Sequence, residues 1–299
     1  MFRLLSILLL TLALGACQTD ERGADGDAVA HGGSWQSISQ EGQGEIRVLY
    51  VPARGWAWRG EDEEGQLSGV TVTLMRDFVR WVGETHDVRL GIEFEEEQDW
   101  SRFYRRVVNS EEGVFGIGNV TITEERREEL AFSPPYVYNV AVLITVDEVS
   151  ELSEMANSDQ VFSDLRGLGF AGTLHEERLE RLKERSMPDL AIDLAESNDE
   201  ILERVAEGGH FAWIDAYNFV RAREEGMPLR RHPVGDDPGE AFGVIMPHGS
   251  DWEALMEEYF QNAHGGLLQS DFWQQTLEDY LGSEVSALLM AAAEESKTQ

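Results

Sequence analysis

The sequence is poor in cysteine, in lysine and in positive charge generally. Its 299 residues include one cysteine, Cys17, so no intrachain disulfide can form. Only Lys183 and Lys297 are lysines, and 24 basic residues face 57 acidic ones, a formal net charge of −33. A field of that sign repels DNA, RNA and anionic lipid headgroups, which argues against a nucleic-acid partner. The seven histidines are scattered without metal-ligand spacing, and no cofactor is expected. The longest apolar run, residues 4–14, is too short to span a bilayer as a stable helix. High charge often marks disorder, but 42% hydrophobic residues and 8 tryptophans point to a packed core. Such a length holds one large or two modest globular units. The excess of acid is expected to be an adaptation of the surface to high salt.

Residues 1–16 read as an export signal. Arg3 supplies the positive start, the apolar run follows, and Leu14-Gly15-Ala16-Cys17 looks like a bacterial lipobox. Lipid on Cys17 would anchor an exported, periplasmic protein to a membrane surface. A buried free thiol is the plainer alternative. Residues 17–44 are rich in Gly, Ser, Asp and Gln without apolar periodicity, and read as a flexible tether.

Period-2 and short apolar runs predict strands over residues 45–51, 88–94, 114–118, 136–146, 188–194, 210–215 and 241–246, and residues 130–132 are a further short apolar-aromatic run. Helical spacing predicts helices over 72–82, 101–109, 124–130, 174–185, 198–207, 216–224, 252–263 and 270–281. Residues 61–65 read as an acidic hairpin tip, 147–163 as a polar stretch that a surface helix would suit, and 230–239 as a connection. The strand–helix–strand succession from 88 to 118 predicts a parallel sheet, whose ligands gather at the carboxyl ends of its strands.

One stretch carries most of the chemistry. Residues 114–118 form a strand that ends in small and hydroxyl residues: Gly118, Asn119, Thr121 and Thr123. Thr123 is placed to cap a helical turn. Arg126 follows one turn later, and Phe132-Ser133-Pro134-Pro135-Tyr136 closes the segment. Hydroxyls, backbone N–H groups and a guanidinium fork together suit a carboxylate. Arg126 on a solvated helix face is the bland reading.

The run Asn-Val-Thr-Ile-Thr-Glu-Glu-Arg at 119–126, then Leu-Ala-Phe-Ser-Pro-Pro-Tyr at 130–136, resembles the signature of the family 3 extracellular solute-binding proteins, the amino-acid receptors of bacterial ABC importers. The likeness runs in order from about residue 44 to residue 282. It includes Asp164-Leu165-Arg166-Gly167 with Gly172-Thr173, and the run 210–217 ending Ile214-Asp215-Ala216-Tyr217. The copy is divergent: the family's Gly-Phe-Asp-x-Asp-Leu is here Gly69-Val70-Thr71-Val72-Thr73-Leu74, and His210 replaces its first strand aspartate. The resemblance implies an α/β, two-lobed clamshell of the type II periplasmic-binding-protein kind, with mainly parallel sheets flanked by helices and two crossovers. Lobe 1 would comprise 45–138 and 240–282, lobe 2 would comprise 139–239, and 283–299 would be an extension.

It also implies site roles. Arg126, Thr121 and Asn119 would hold a ligand carboxylate, helped by the backbone at Thr173 on a helix N-terminus. Asp215 would face the ligand's ammonium from the other lobe. Trp100, and Trp56 or Trp58, would cover its apolar stem. Core packing for either loop tryptophan, a hydrophobic staple for Trp100, and helix capping for Thr173 and Asp215 remain open alternatives. The expected ligand is a small zwitterion and the expected partner an ABC permease, with the chain acting as a monomer. The motif loops offer no acid over the ligand, so no enzymatic activity is expected. A compatible-solute receptor for ectoine-like molecules, a sensor domain, and a cyclic-amino-acid dehydratase on the same fold are the alternatives.

Overall fold

The computed structural model describes residues 29–60 and 65–296. The leader, Cys17 and the first part of the expected tether lie outside the described residues, as do 61–64 and 297–299. The elements run in the order α1 (Trp35–Glu41), β1 (Gln43–Tyr50), β2 (Trp58–Arg59), β3 (Leu67–Ser68), α2 (Val70–His86), β4 (Arg89–Glu96), α3 (Trp100–Val108), β5 (Val114–Thr121), α4 (Glu124–Glu129), β6 (Leu130–Phe132), β7 (Val137–Val146), α5 (Ser158–Val161) and β8 (Arg166–Phe170). They continue with α6 (Leu174–Arg185), β9 (Ile192–Ala195), α7 (Asn198–Ala206), β10 (His210–Asp215), α8 (Ala216–Glu224), β11 (Leu229–Arg231), β12 (Asp237–Pro247), α9 (Glu253–Asn262), α10 (Asp271–Leu281) and α11 (Ser283–Ser296).

Strand order in the large sheet is β4-β1-β5-β12-β7-β10-β8-β9, with β6 added on β12 and β11 on β7. The outer groups β4-β1-β5 and β10-β8-β9 are each parallel. Between them the long strands β7 and β12 run antiparallel to each other and to their neighbours. These two strands are the crossovers, and the protein is a two-lobed α/β clamshell hinged on them. Buried clusters lie on either side of the crossovers. One centres on Phe78, Phe115, Trp252 and Tyr259, whose rings meet at 5.4 to 6.1 Å. Others hold Ile144, Leu168 and Ile214, and Phe162 stacked on Phe211. Each such side chain taken from water contributes roughly 1.5–3 kcal/mol.

Several expectations need correction. Residues 29–44 are not a loose tether. Ser34 caps α1, the Asp251 carboxylate accepts from the backbone of Trp35 and Gln36, and Trp252 Nε1 donates to the Gly33 carbonyl. With one buried residue, Ile38, the helix has too little periodicity to be read from sequence. The connection expected at 230–239 contains β11 and the first residues of β12. The strand expected at 188–194 is confined to β9, and 147–163 contains only short helical turns. The extension after Gly282 forms α11. It sends Val285 and Leu289 into the core of the first half while Leu288 packs against that of the second.

Candidate functional site

A cavity of about 300 Å³ opens between the halves, at the carboxyl ends of β1, β5, β8 and β10. Seven of the residues singled out in the sequence line it: Trp58, Trp100, Asn119, Thr121, Arg126, Thr173 and Asp215. A more open chamber of about 510 Å³ adjoins it, and Arg126 borders both.

Arg126 sits where β5 turns into α4. Thr123 caps that helix, its side-chain oxygen accepting from the Arg126 backbone N–H at 3.2 Å. The guanidinium donates through Nη1 to the Thr121 carbonyl at 3.1 Å, and lies 5.3 Å from the Trp100 ring centroid and 5.6 Å from that of Tyr104. Trp100 in turn stacks on Tyr104 and donates Nε1 to the Gly118 carbonyl. Among the described residues no carboxylate comes within ion-pair distance of Arg126. Burial therefore acts on a charge without a protein counter-ion and lowers the Arg126 pKa; Tyr104, Glu177 and Glu240 offset this only in part.

Asp215 ends β10 and starts α8, but its side chain makes no capping bond. Its Oδ1 accepts from Asn139 Nδ2 at 2.6 Å and faces His175 Nε2 at 3.4 Å. Among the described residues Oδ2 has no hydrogen-bond donor. Asp215 and Arg126 thus bring opposite, locally unmatched charges to one cavity from opposite sides of the crossovers.

The remaining residues differ in what they leave free. Asn119 adopts φ 53°, and its Oδ1 accepts from Tyr136 at 2.8 Å while Nδ2 donates to Tyr217 at 3.1 Å. It ties β5 to α8 across the cleft. Burial raises the pKa of both tyrosines well above 10, so both remain hydroxyl donors. Thr173 caps α6, donating to the Phe170 carbonyl at 2.9 Å and accepting from His175 N at 3.3 Å.

Trp56 must be struck from the cavity wall. It is 1% exposed, and its ring packs on Tyr217 at 5.0 Å and on Tyr136 and Phe242 behind the cavity. Two bonds from Thr71, through N and Oγ1, pin its carbonyl to the start of α2. Gly69 makes that approach possible: at φ 128°, a Cβ there would lie 2.2 Å from the Trp56 carbonyl oxygen. Trp58 stays at the rim with Arg54 lying over it at 5.7 Å.

A sequence profile of the bacterial extracellular solute-binding proteins, family 3, matches residues 57–282. The chain belongs to that family. This solute-binding protein is therefore extracytoplasmic and belongs with the receptors for small polar or charged solutes in amino-acid ABC transport. No curated protein sequence matches it. Solved structures share its fold. A substrate-binding protein of an ABC uptake transporter from Streptococcus pneumoniae, with bound histidine, superposes with a TM-score of 0.64 at 18% identity, over 84% of this chain and 97% of that one. The arginine-, lysine-, histidine-binding protein ArtJ from Geobacillus stearothermophilus gives 0.61 at 18%, over 80% and 96%. An ancestral arginine-binding protein bound to arginine gives 0.61 at 15%, over 80% and 98%.

The cavity of the solute-binding protein also holds residues the sequence did not single out. Asp199, from the second half, pairs with Arg221 at 2.7 Å and with Arg54, from the first, at 3.7 Å. Glu240, on β12, accepts from Asn139 Nδ2 at 2.9 Å and pairs with Arg178. Glu240 was overlooked between the connection read at 230–239 and the strand expected from residue 241. His175 and Arg178 lie within two turns of the Thr173 cap, a position that helix-end chemistry could have flagged.

Proposed function

We propose that the protein captures an α-amino acid in this cavity and delivers it to an ABC permease, held at a membrane surface by lipid on Cys17. The observation that carries the reading is that Arg126 and Asp215, whose Oδ2 has no donor among the described residues, line one cavity from opposite sides of the crossovers. A ligand carboxylate at the first and an ammonium at the second complete both hydrogen-bonding sets. Because each end touches a different half, binding favours the closed arrangement over the open one. Thr121 and the α6 N-terminus add polar contacts near the carboxylate, and Trp100 and Trp58 border the stem. The arginine, lysine and histidine named for the structural relatives are ligands of the expected class. Arginines already lie over both cavity tryptophans, which argues against an aromatic cage for a quaternary ammonium solute.

The test is a thermal-shift panel of the twenty amino acids together with ectoine and glycine betaine, run at high salt and followed by calorimetry. An amino acid is expected to raise the unfolding temperature, and Asp215→Asn to remove most of that shift while leaving the ligand-free protein folded. No shift with any amino acid, or an undiminished shift in Asp215→Asn, overturns the reading.

A further inference from the structure

Five polar residues, Arg178, His175, Asp237, Glu240 and Asn139, form a chain beside Asp215 that the ligand contacts proposed above do not use; His175 and Glu240 reach the cavity wall. Arg178, on α6 and 6% exposed, has a guanidinium that bonds to both acids of β12. Nε donates to Asp237 Oδ2 at 2.9 Å, and Nη2 pairs with Glu240. Its Nη1 faces His175 Nδ1 at 3.2 Å. A guanidinium can only donate, so Nδ1 must accept, and the ring hydrogen resides on Nε2. That nitrogen looks at Asp215 Oδ1. Asn139 reaches the same region from β7, one N–H on Asp215 Oδ1 and the other on Glu240 Oε2. Burial opposes the Arg178 charge, but Glu240 and Asp237 outweigh it and its pKa is raised, which keeps it a donor.

We propose that His175 is a positioning residue for the ammonium subsite: Arg178 fixes it in the Nε2–H tautomer, and with Asn139 it directs Asp215 so that Oδ2 alone meets the ligand's N–H groups. The relay begins on Asp237 and Glu240 of a crossover strand, so the acid that grips the ligand is set from the hinge. In the opposite tautomer a lone pair would face the carboxylate, repel it and turn it out of line. The claim about the ligand rests on the amino-acid reading above; the claim about the tautomer does not.

Two measurements test it. The first is long-range ¹H–¹⁵N correlation spectroscopy on ligand-free, histidine-labelled protein at pH 7.5, with the His175 signals assigned by their loss in His175→Gln. A single Nε2–H tautomer is expected in the native protein, and a mixed one in Arg178→Met/Glu240→Gln, where the donor and its buried counter-ion leave together. An Nδ1–H tautomer in the native protein, or no change in the double variant, overturns the relay. The second is calorimetry with L-histidine, L-arginine and L-glutamine as probes. Glutamine at 175 can accept through Oε1 and donate through Nε2, so affinity is expected within about threefold of native. His175→Leu keeps bulk without the donor and is expected to lose about tenfold or more. Equal losses in both variants, or none in either, overturn the positioning role. The first measurement needs no ligand, so a failed amino-acid reading, seen as native affinity in Asp215→Asn, is told apart from a failed relay.

Discussion

Replacing Arg126 by methionine separates ligand binding from stability. Methionine keeps apolar bulk against Trp100 and Tyr104, whose ring centroids lie 5.3 and 5.6 Å from the guanidinium carbon. It removes the donors. Among the described residues the guanidinium's one hydrogen bond is to the Thr121 carbonyl, and burial lowers its pKa. A cation held in this way, without a protein carboxylate, contributes little to folding. Losing a cation–π contact of about 0.5–1 kcal/mol is offset by relief of desolvation. The ligand-free variant should therefore unfold within about 1 kcal/mol of the native protein. Binding should respond quite differently. A carboxylate on two parallel N–H groups gains about 3 kcal/mol or more, so the dissociation constant should rise about a hundredfold or more. Calorimetry with the amino acid that gives the largest thermal shift measures the second quantity, and urea unfolding without ligand measures the first. Unchanged affinity, or a folding loss of several kcal/mol, would refute the assignment of Arg126 as an unmatched anchor.

Other outcomes follow from particular contacts. Gly69→Ala forces a Cβ against the Trp56 carbonyl at a backbone angle that L residues avoid, and should cost several kcal/mol by denaturant unfolding; a change under 1 kcal/mol would mean the loop over the cavity is not pinned there. His232 is fully buried, with Nδ1 accepting from Leu152 N and Nε2 facing Thr145 Oγ1, and burial lowers its pKa to about 4. A histidine depressed on folding contributes stability above its unfolded pKa of about 6.5, and that stability is lost as pH falls through 4; the expected decline is up to roughly 3 kcal/mol. The same decline in His232→Gln would assign it to other groups. Ending the chain at Gly282 removes Val285 and Leu289 from the first half's core and should lower stability by about 2–5 kcal/mol, read by urea unfolding; no loss would show α11 to be dispensable. A salt series should show unfolding temperature rising with salt, as screening relieves repulsion within a chain of charge −33; greatest stability in low salt contradicts it.

The sequence made the parallel parts of the sheet legible because buried strands such as β5 and β10 are near-continuous apolar runs with clear helical spacing between them. It misread α1 as part of a flexible tether, because the helix is ordered by Asp251 and Trp252 far along the chain. It misread the start of β12, where Pro238 and the positive-φ Gly239 disturb the strand register without ending pairing. At the site, Arg126 and Asp215 could be singled out because Asp215 ends a recognisable strand, Arg126 follows one by a helical turn, and both stand in runs that resemble the family's motifs. The choice between Trp56 and Trp58 could not be made, since Trp56 is buried by Tyr136, Tyr217 and Phe242, which reach it only after folding. Nor could the relay behind Asp215 be read, because its residues come from β7, α6 and β12 and meet only after folding.

The most direct measurement is a crystal structure of the protein with the amino acid selected by the thermal-shift panel. The carboxylate is expected on the Arg126 guanidinium and the ammonium on Asp215 Oδ2, with the stem bordered by Trp58 and Trp100. A ligand bound in the reverse sense, or outside the cavity that these two charges share, would contradict the account.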